Sequence, residues 1–125
     1  MLPALRGCNE NRGSREYFLG EVDDVLAALD FLARRPDVDP EQVYLGGHST
    51  GATLALLTAA SNPPIKGVFA FGPIDDVRRY LPTNIALDRA SGMELELRSP
   101  VTFVGAISSQ CSVKAKMRSS LPPSW

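Results

Sequence analysis

Gln42-Val43-Tyr44-Leu45-Gly46-Gly47-His48-Ser49-Thr50-Gly51-Ala52-Thr53 decides how this chain is read. Residues 47–51 spell G-x-S-x-G, between a strand-like run at 42–45 and a long apolar stretch at 52–60. Strand, tight turn and helix in that order is the setting in which the pentapeptide carries a nucleophilic serine. The serine must adopt a strained backbone for its hydroxyl to project clear, and side chains two residues to either side would collide where strand and helix converge. Gly47 and Gly51 remove those two side chains, and Gly46 and Ala52 are small as well.

The same stretch admits a rival. Residues 46–53, G-G-H-S-T-G-A-T, match the phosphate-loop pattern G-x-x-x-x-G-K-[ST] at every fixed position except the lysine, where Ala52 stands. Without that ammonium the loop lacks the charge that reaches the β- and γ-phosphates, so nucleotide binding is not expected. The bland reading, a glycine-rich turn with a solvent-facing serine, does not account for the flanking pattern.

Composition describes one globular unit: 125 residues, 44% hydrophobic, formal charge −1. Such a balance is neither disordered, membrane-spanning nor suited to nucleic acid, so no nucleic-acid or membrane partner is expected. Residues 1–13 hold no apolar core flanked by basic residues and resemble neither a signal peptide nor an anchor, which leaves the cytoplasm as a default. Cys8 and Cys111 lie far apart without a C-x-x-C or a histidine cluster, which favours free thiols and offers no ligand set for a metal. No cofactor is implied.

Along the chain, residues 8–14 read as a loop. Between 17 and 35, Leu19, Val22, Val25, Leu26, Leu29 and Leu32 recur at helical spacing, and Pro36 closes the helix. Asp39-Pro40 turns the chain into the strand at 42–45, and a buried helix is expected over 53–60, stopped by Asn62-Pro63-Pro64. Residues 66–71 read as a second strand whose near-continuous apolar character predicts a parallel sheet covered on both faces. Residues 74–90 are expected to form short helices over the strand ends, and 101–107 are apolar but too short to type. From Gln110 onward three basic residues, Lys114, Lys116 and Arg118, stand without an acidic one. Periodicity is lost there, so a tail that packs against little is expected.

The helix at 17–35, the run from Arg35-Pro36-Asp37 through Gly51, the strand at 68–71 and Arg98-Ser99-Pro100 together resemble the α/β-hydrolase fold. The branch they look like is that of the prolyl oligopeptidase and dienelactone-hydrolase-like serine hydrolases, where a D-P-x-x-[IV] link enters the nucleophile strand and an S-P precedes a later one. The resemblance spans about residues 3–107. It implies an α/β domain with a parallel sheet flanked by helices over residues 1–107, and an atypical segment at 108–125. It also implies that Ser49 is the nucleophile, that the backbone N–H of Thr50 donates to the oxyanion, and that the substrate is a small-molecule ester or peptide. The family's second oxyanion donor, often within His-Gly-Gly, has no counterpart before the helix, as if the chain began about midway through the usual sheet.

The triad is where the pattern departs. Family members place an acid and then a histidine after the nucleophile, whereas this chain has no acidic side chain after Glu96 and one histidine in all, His48. As the immediate neighbour of Ser49 in a sharp turn, His48 is expected to point away and to serve in packing or a backbone hydrogen bond. Asp75 and Asp76 follow the second strand and could supply an acid, though a carboxylate pair at a helix start is the plainer reading. Two expectations result. One is a serine hydrolase impaired by an incomplete triad, its end from about Ser108 replaced by unrelated sequence; the other is a non-catalytic binding protein on the same half-sheet, whose unpaired edges invite self-association.

Overall fold

The computed structural model describes residues 1–79, 89–110 and 112–116. Helix α1, Gly20–Ala33, follows a long N-terminal segment; a 3-10 turn, Pro40–Gln42, leads into strand β1, Tyr44–His48. Helix α2, Thr50–Ala60, and strand β2, Gly67–Phe71, complete a strand-helix-strand unit. Helix α3, Gly92–Leu97, a 3-10 turn, Pro100–Phe103, helix α4, Val104–Gln110, and strand β3, Ser112–Lys116, follow. The sheet is parallel in the order β1-β2-β3, with Leu45 beside Val68 and Val68 beside Val113.

Local chemistry accounts for these boundaries. Asp39 caps the 3-10 turn by accepting the Glu41 N–H, and Pro40 supplies a preset φ where no N–H is needed. The strand expected at 42–45 lies two residues later and runs through Gly46-Gly47-His48. Glycine is a poor strand former on its own, and the ladder to Phe69, Ala70 and Phe71 supplies the backbone partners that local propensity does not. α2 begins at Thr50 rather than Thr53, and residues 52–59 are all buried, as an apolar-all-round helix requires. Its Ala52, Ala55, Leu56 and Ala59 pack on Val68, Ala70 and Ile107. α1 buries Val25 and Leu29 of the expected stripe and leaves Leu19, Val22, Leu26 and Leu32 partly covered.

Residues 101–107, untyped in the sequence, belong to the 3-10 turn and α4. Two expectations need correction. Among the described residues the sheet is not covered on both faces: β2 alternates, with Val68 and Ala70 fully buried while Phe69 and Phe71 are 43% and 52% exposed, and Tyr44 on β1 is also exposed. The tail, expected to pack against little, supplies a strand, β3, that pairs with β2. A sheet with one open face asks for apolar residues only at alternate positions, and Ser112-Val113-Lys114-Ala115-Lys116 alternates. The expected short helices at 74–90 fall partly on residues 80–88, and the basic tail partly on 117–125, both outside the described residues.

Polar side chains, partly buried at Arg6 and buried at Arg98, tie the N-terminal segment to this framework. Arg6 donates to both carboxylate oxygens of Asp24 and to Glu16, and the guanidinium holds the Asp24 carboxyl below the usual carboxylate range. Arg98, 8% exposed, donates to the carbonyls of Tyr17 and Glu16. Cys8 carries a free thiol, whereas Cys111 lies outside the described residues. Among the described residues no helix is long and apolar enough to cross a membrane.

Candidate active site

β1 delivers Ser49 at the start of α2 with φ 54° and ψ −119°. That conformation is rare for a residue with a Cβ and costs on the order of 1–3 kcal/mol, so the surrounding structure must impose it. Bonds on both sides do so. The Ser49 N–H donates to the Phe71 carbonyl at 2.9 Å, while its own carbonyl accepts from Ala52 and Thr53 at 3.0 and 3.1 Å, fastening the residue to β2 and to the first turn of α2.

The two pentapeptide glycines have different reasons to exist. A Cβ on Gly47 would stand 2.3 Å from the backbone carbon and oxygen of Gly51 and 2.6 Å from the Ala52 nitrogen, so the strand and helix cross where no side chain fits. A Cβ on Gly51 would meet nothing within 4 Å. The expectation that both glycines relieve a collision therefore holds for Gly47 alone.

Thr50 is exposed at the mouth of the turn, and its N–H heads α2, where no carbonyl four residues back can accept it. No backbone bond among the described residues uses it. It is a donor at the positive end of an 11-residue helix, beside the serine.

Ser49 has no triad partner among the described residues, its hydroxyl making no side-chain hydrogen bond there. His48 is exposed and belongs to the same face of β1 as Tyr44 and Gly46, away from α2. Among the described residues its ring makes no hydrogen bond to backbone. Asp75 and Asp76 are engaged elsewhere: Asp75 pairs with Arg79, and Asp76 accepts from the backbone and guanidinium of Arg78 and from the Ser99 hydroxyl. The Arg78 guanidinium foremost holds the Asp76 carboxyl below its ordinary range. Both act as turn and ion-pair residues.

Three polar residues shape the site in roles that the sequence reading did not assign. Thr53 is fully buried; its Oγ1 accepts the Ile74 N–H at 2.8 Å and donates to the Ile74 carbonyl at 3.1 Å, fixing the chain after β2 beside the serine turn. A threonine so occupied is not free to ligate the magnesium of a bound nucleotide, which, with the missing lysine, counts against the phosphate-loop rival. Glu21, 6% exposed, accepts the N–H groups of Glu16 and Phe18. Ser99, also fully buried, accepts the Val77 N–H and donates to the Leu95 carbonyl at 2.6 Å. A threonine inside an otherwise apolar helix and a glutamate flanked by Gly20 and Val22 were the available signals.

A family profile described as "Alpha/beta hydrolase family" matches residues 1–122, and the chain belongs to that family. Among curated proteins it is similar to the polyketide transferase ATR5 of Stachybotrys chlorohalonatus, 36% identical over 77 residues, covering 57% of this chain and 26% of that protein. It is also similar to the thiohydrolase apmlB of Arthrinium phaeospermum, 38% identical over 53 residues, covering 42% of this chain and 17% of the relative. The chain thus spans about a quarter or less of these relatives. A puromycin hydrolase mutant crystallised with PGG shares the fold, with TM-score 0.59 and 14% identity over 82% of this chain and 22% of that one.

Proposed function

We propose that Ser49 is the nucleophile of a serine hydrolase, attacking an ester, thioester or peptide carbonyl, with turnover impaired because neither a base nor an acid stands at its hydroxyl among the described residues. The observation that carries this reading is the strained Ser49 backbone at a crossing that only Gly47 permits, beside an unpaired Thr50 N–H. Attack by Oγ on the carbonyl carbon puts negative charge on the former carbonyl oxygen, and the preorganised Thr50 N–H meets it. The Oγ proton passes by way of solvent water to the departing alcohol, thiol or amine as the intermediate collapses, leaving an acyl-Ser49 ester for water to cleave. An unassisted serine is a weak nucleophile, and loss of a triad member leaves a residual rate owed to the oxyanion site and binding. The polyketide transferase and thiohydrolase among the relatives are the reason to include thioesters among the substrates offered.

A fluorophosphonate probe tests the nucleophile directly. Slow, stoichiometric phosphonylation is expected in the native chain and none in Ser49→Ala; equal background labelling of the two would sink the reading.

A second reading rests on the open sheet. β1 has β2 as its one neighbour among the described residues, and Tyr44, Phe69 and Phe71 lie exposed on one face, so a second copy of the chain is a natural cover. Sedimentation at micromolar concentration is expected to show dimers that Phe69→Lys disperses. A compact native monomer would count against self-association.

A further inference from the structure

A cavity of about 340 Å³ opens beside the first turn of α2, within the size range of small-molecule sites. Its apolar walls are Leu5, Tyr17, Phe18, Leu54, Ile74 and Val77, while Thr50 and Gly51 bring it to the residue after the serine. This wall is built rather than incidental. Tyr17 and Phe18 both have positive φ, 52° and 79°, a strained pair for aromatic residues. Buried Glu21 holds the N–H of Phe18, and buried Arg98 holds the carbonyl of Tyr17, so two charged side chains over-determine the strained turn.

The polar groups around the cavity are unequal. Glu21 lines it too, and each of its carboxylate oxygens accepts a backbone N–H, which ties the group to the turn at Tyr17 and Phe18. Arg15 also lines it, exposed, and among the described residues no hydrogen bond or ion pair engages its guanidinium, which lies 5.7 Å from the centroid of the Tyr17 ring. Stacking on that ring leaves the guanidinium edge free to donate. Thr50 adds a further donor. The cavity therefore combines an apolar body with a cation at its exposed rim that no hydrogen bond or ion pair among the described residues engages.

We infer that this cavity is the acyl-side subsite of the Ser49 centre and takes an apolar acyl group that carries a carboxylate, paired with Arg15. The position beside Ser49 makes the acyl assignment rest on the nucleophile reading, whereas the recognition itself does not. A substrate would lay its apolar body against Leu54 and Ile74 and its carboxylate at Arg15, leaving the carbonyl end toward Thr50.

Three probes of one shape separate the ideas: 4-phenylbutanoate, its neutral amide and 4-phenylbutylamine, titrated against the full chain by methyl NMR. Shifts at Leu54, Ile74 and Val77 methyls are expected, with the acid bound roughly two- to fivefold tighter than the amide and the amine weakest, the size of an exposed charged pair. Arg15→Gln should erase the preference and Arg15→Lys keep most of it; because Arg15 is exposed, neither change threatens folding. Equal affinity for acid and amide, a preference that survives Arg15→Gln, or shifts confined to other methyls would overturn the assignment. Ser49→Ala should bind all three as the native chain does. Failure of fluorophosphonate labelling with the acid preference intact would remove the nucleophile and leave the carboxylate site, and labelling without the preference would do the reverse.

Discussion

Gly47→Ala is expected to be the most damaging single methyl in this chain, costing more than about 3 kcal/mol, beyond the usual range for overpacking. The new carbon would lie 2.3 Å from backbone atoms of Gly51, which no side-chain rotation can clear. Relief requires α2 to move off β1, and α2 carries the buried Ala52, Ala55, Leu56 and Ala59 that pack on the sheet. With total stabilities of about 5–15 kcal/mol typical of domains, such a loss brings the native state close to unfolding. Gly51→Ala is the control. Its Cβ meets nothing within 4 Å and its φ is not positive, so a helical alanine there should be neutral or stabilise by about 0.5–1 kcal/mol. Urea denaturation of the two variants measures the difference, and equal losses would refute the steric account of the crossing.

Thr53→Val should show the second large effect, about 2–5 kcal/mol, although it changes no volume. One hydroxyl serves the N–H and the carbonyl of Ile74, at 2.8 and 3.1 Å, in a fully buried position. Valine leaves both groups without a partner, and each unsatisfied buried group costs about 1–3 kcal/mol. Thr53→Ser keeps the hydroxyl and should lose about 1 kcal/mol from the missing methyl. Calorimetric melting of the pair decides the matter: if serine is as harmful as valine, packing rather than hydrogen bonding is what Thr53 provides. Because Ile74 lines the cavity beside Ser49, valine should also weaken binding there.

Much of the site was legible because its signals are local. The strand-turn-helix order around residues 47–51 identified the position of Ser49 before any coordinates, and Gly47 proved to be the glycine that the crossing demands. Gly51 carries the same motif letter without the same steric need. Asp75 and Asp76, open as candidate acids in the sequence, are taken by Arg79 and Arg78. The strand at the tail was illegible for a different reason: alternation in Val113-Lys114-Ala115-Lys116 signals a strand only beside a sheet with one open face.

The amino-acid sequence by itself determined the order helix, strand, helix, strand from α1 to β2, the buried character of α2, the turn that exposes a serine and the lack of any histidine beyond His48. These follow from steric and periodic rules acting over a few residues. Only the tertiary structure decided that β2 turns Phe69 and Phe71 to an exposed face, that β3 joins β2, that Thr53 and Arg98 spend their polar groups on distant backbone, and that Arg15 stands without an ion-pair partner among the described residues at a cavity beside Thr50. Those outcomes depend on which hydrogen-bonding groups and apolar faces meet across long stretches of chain, as in the 81-residue separation between Arg98 and Tyr17, which local spacing does not encode.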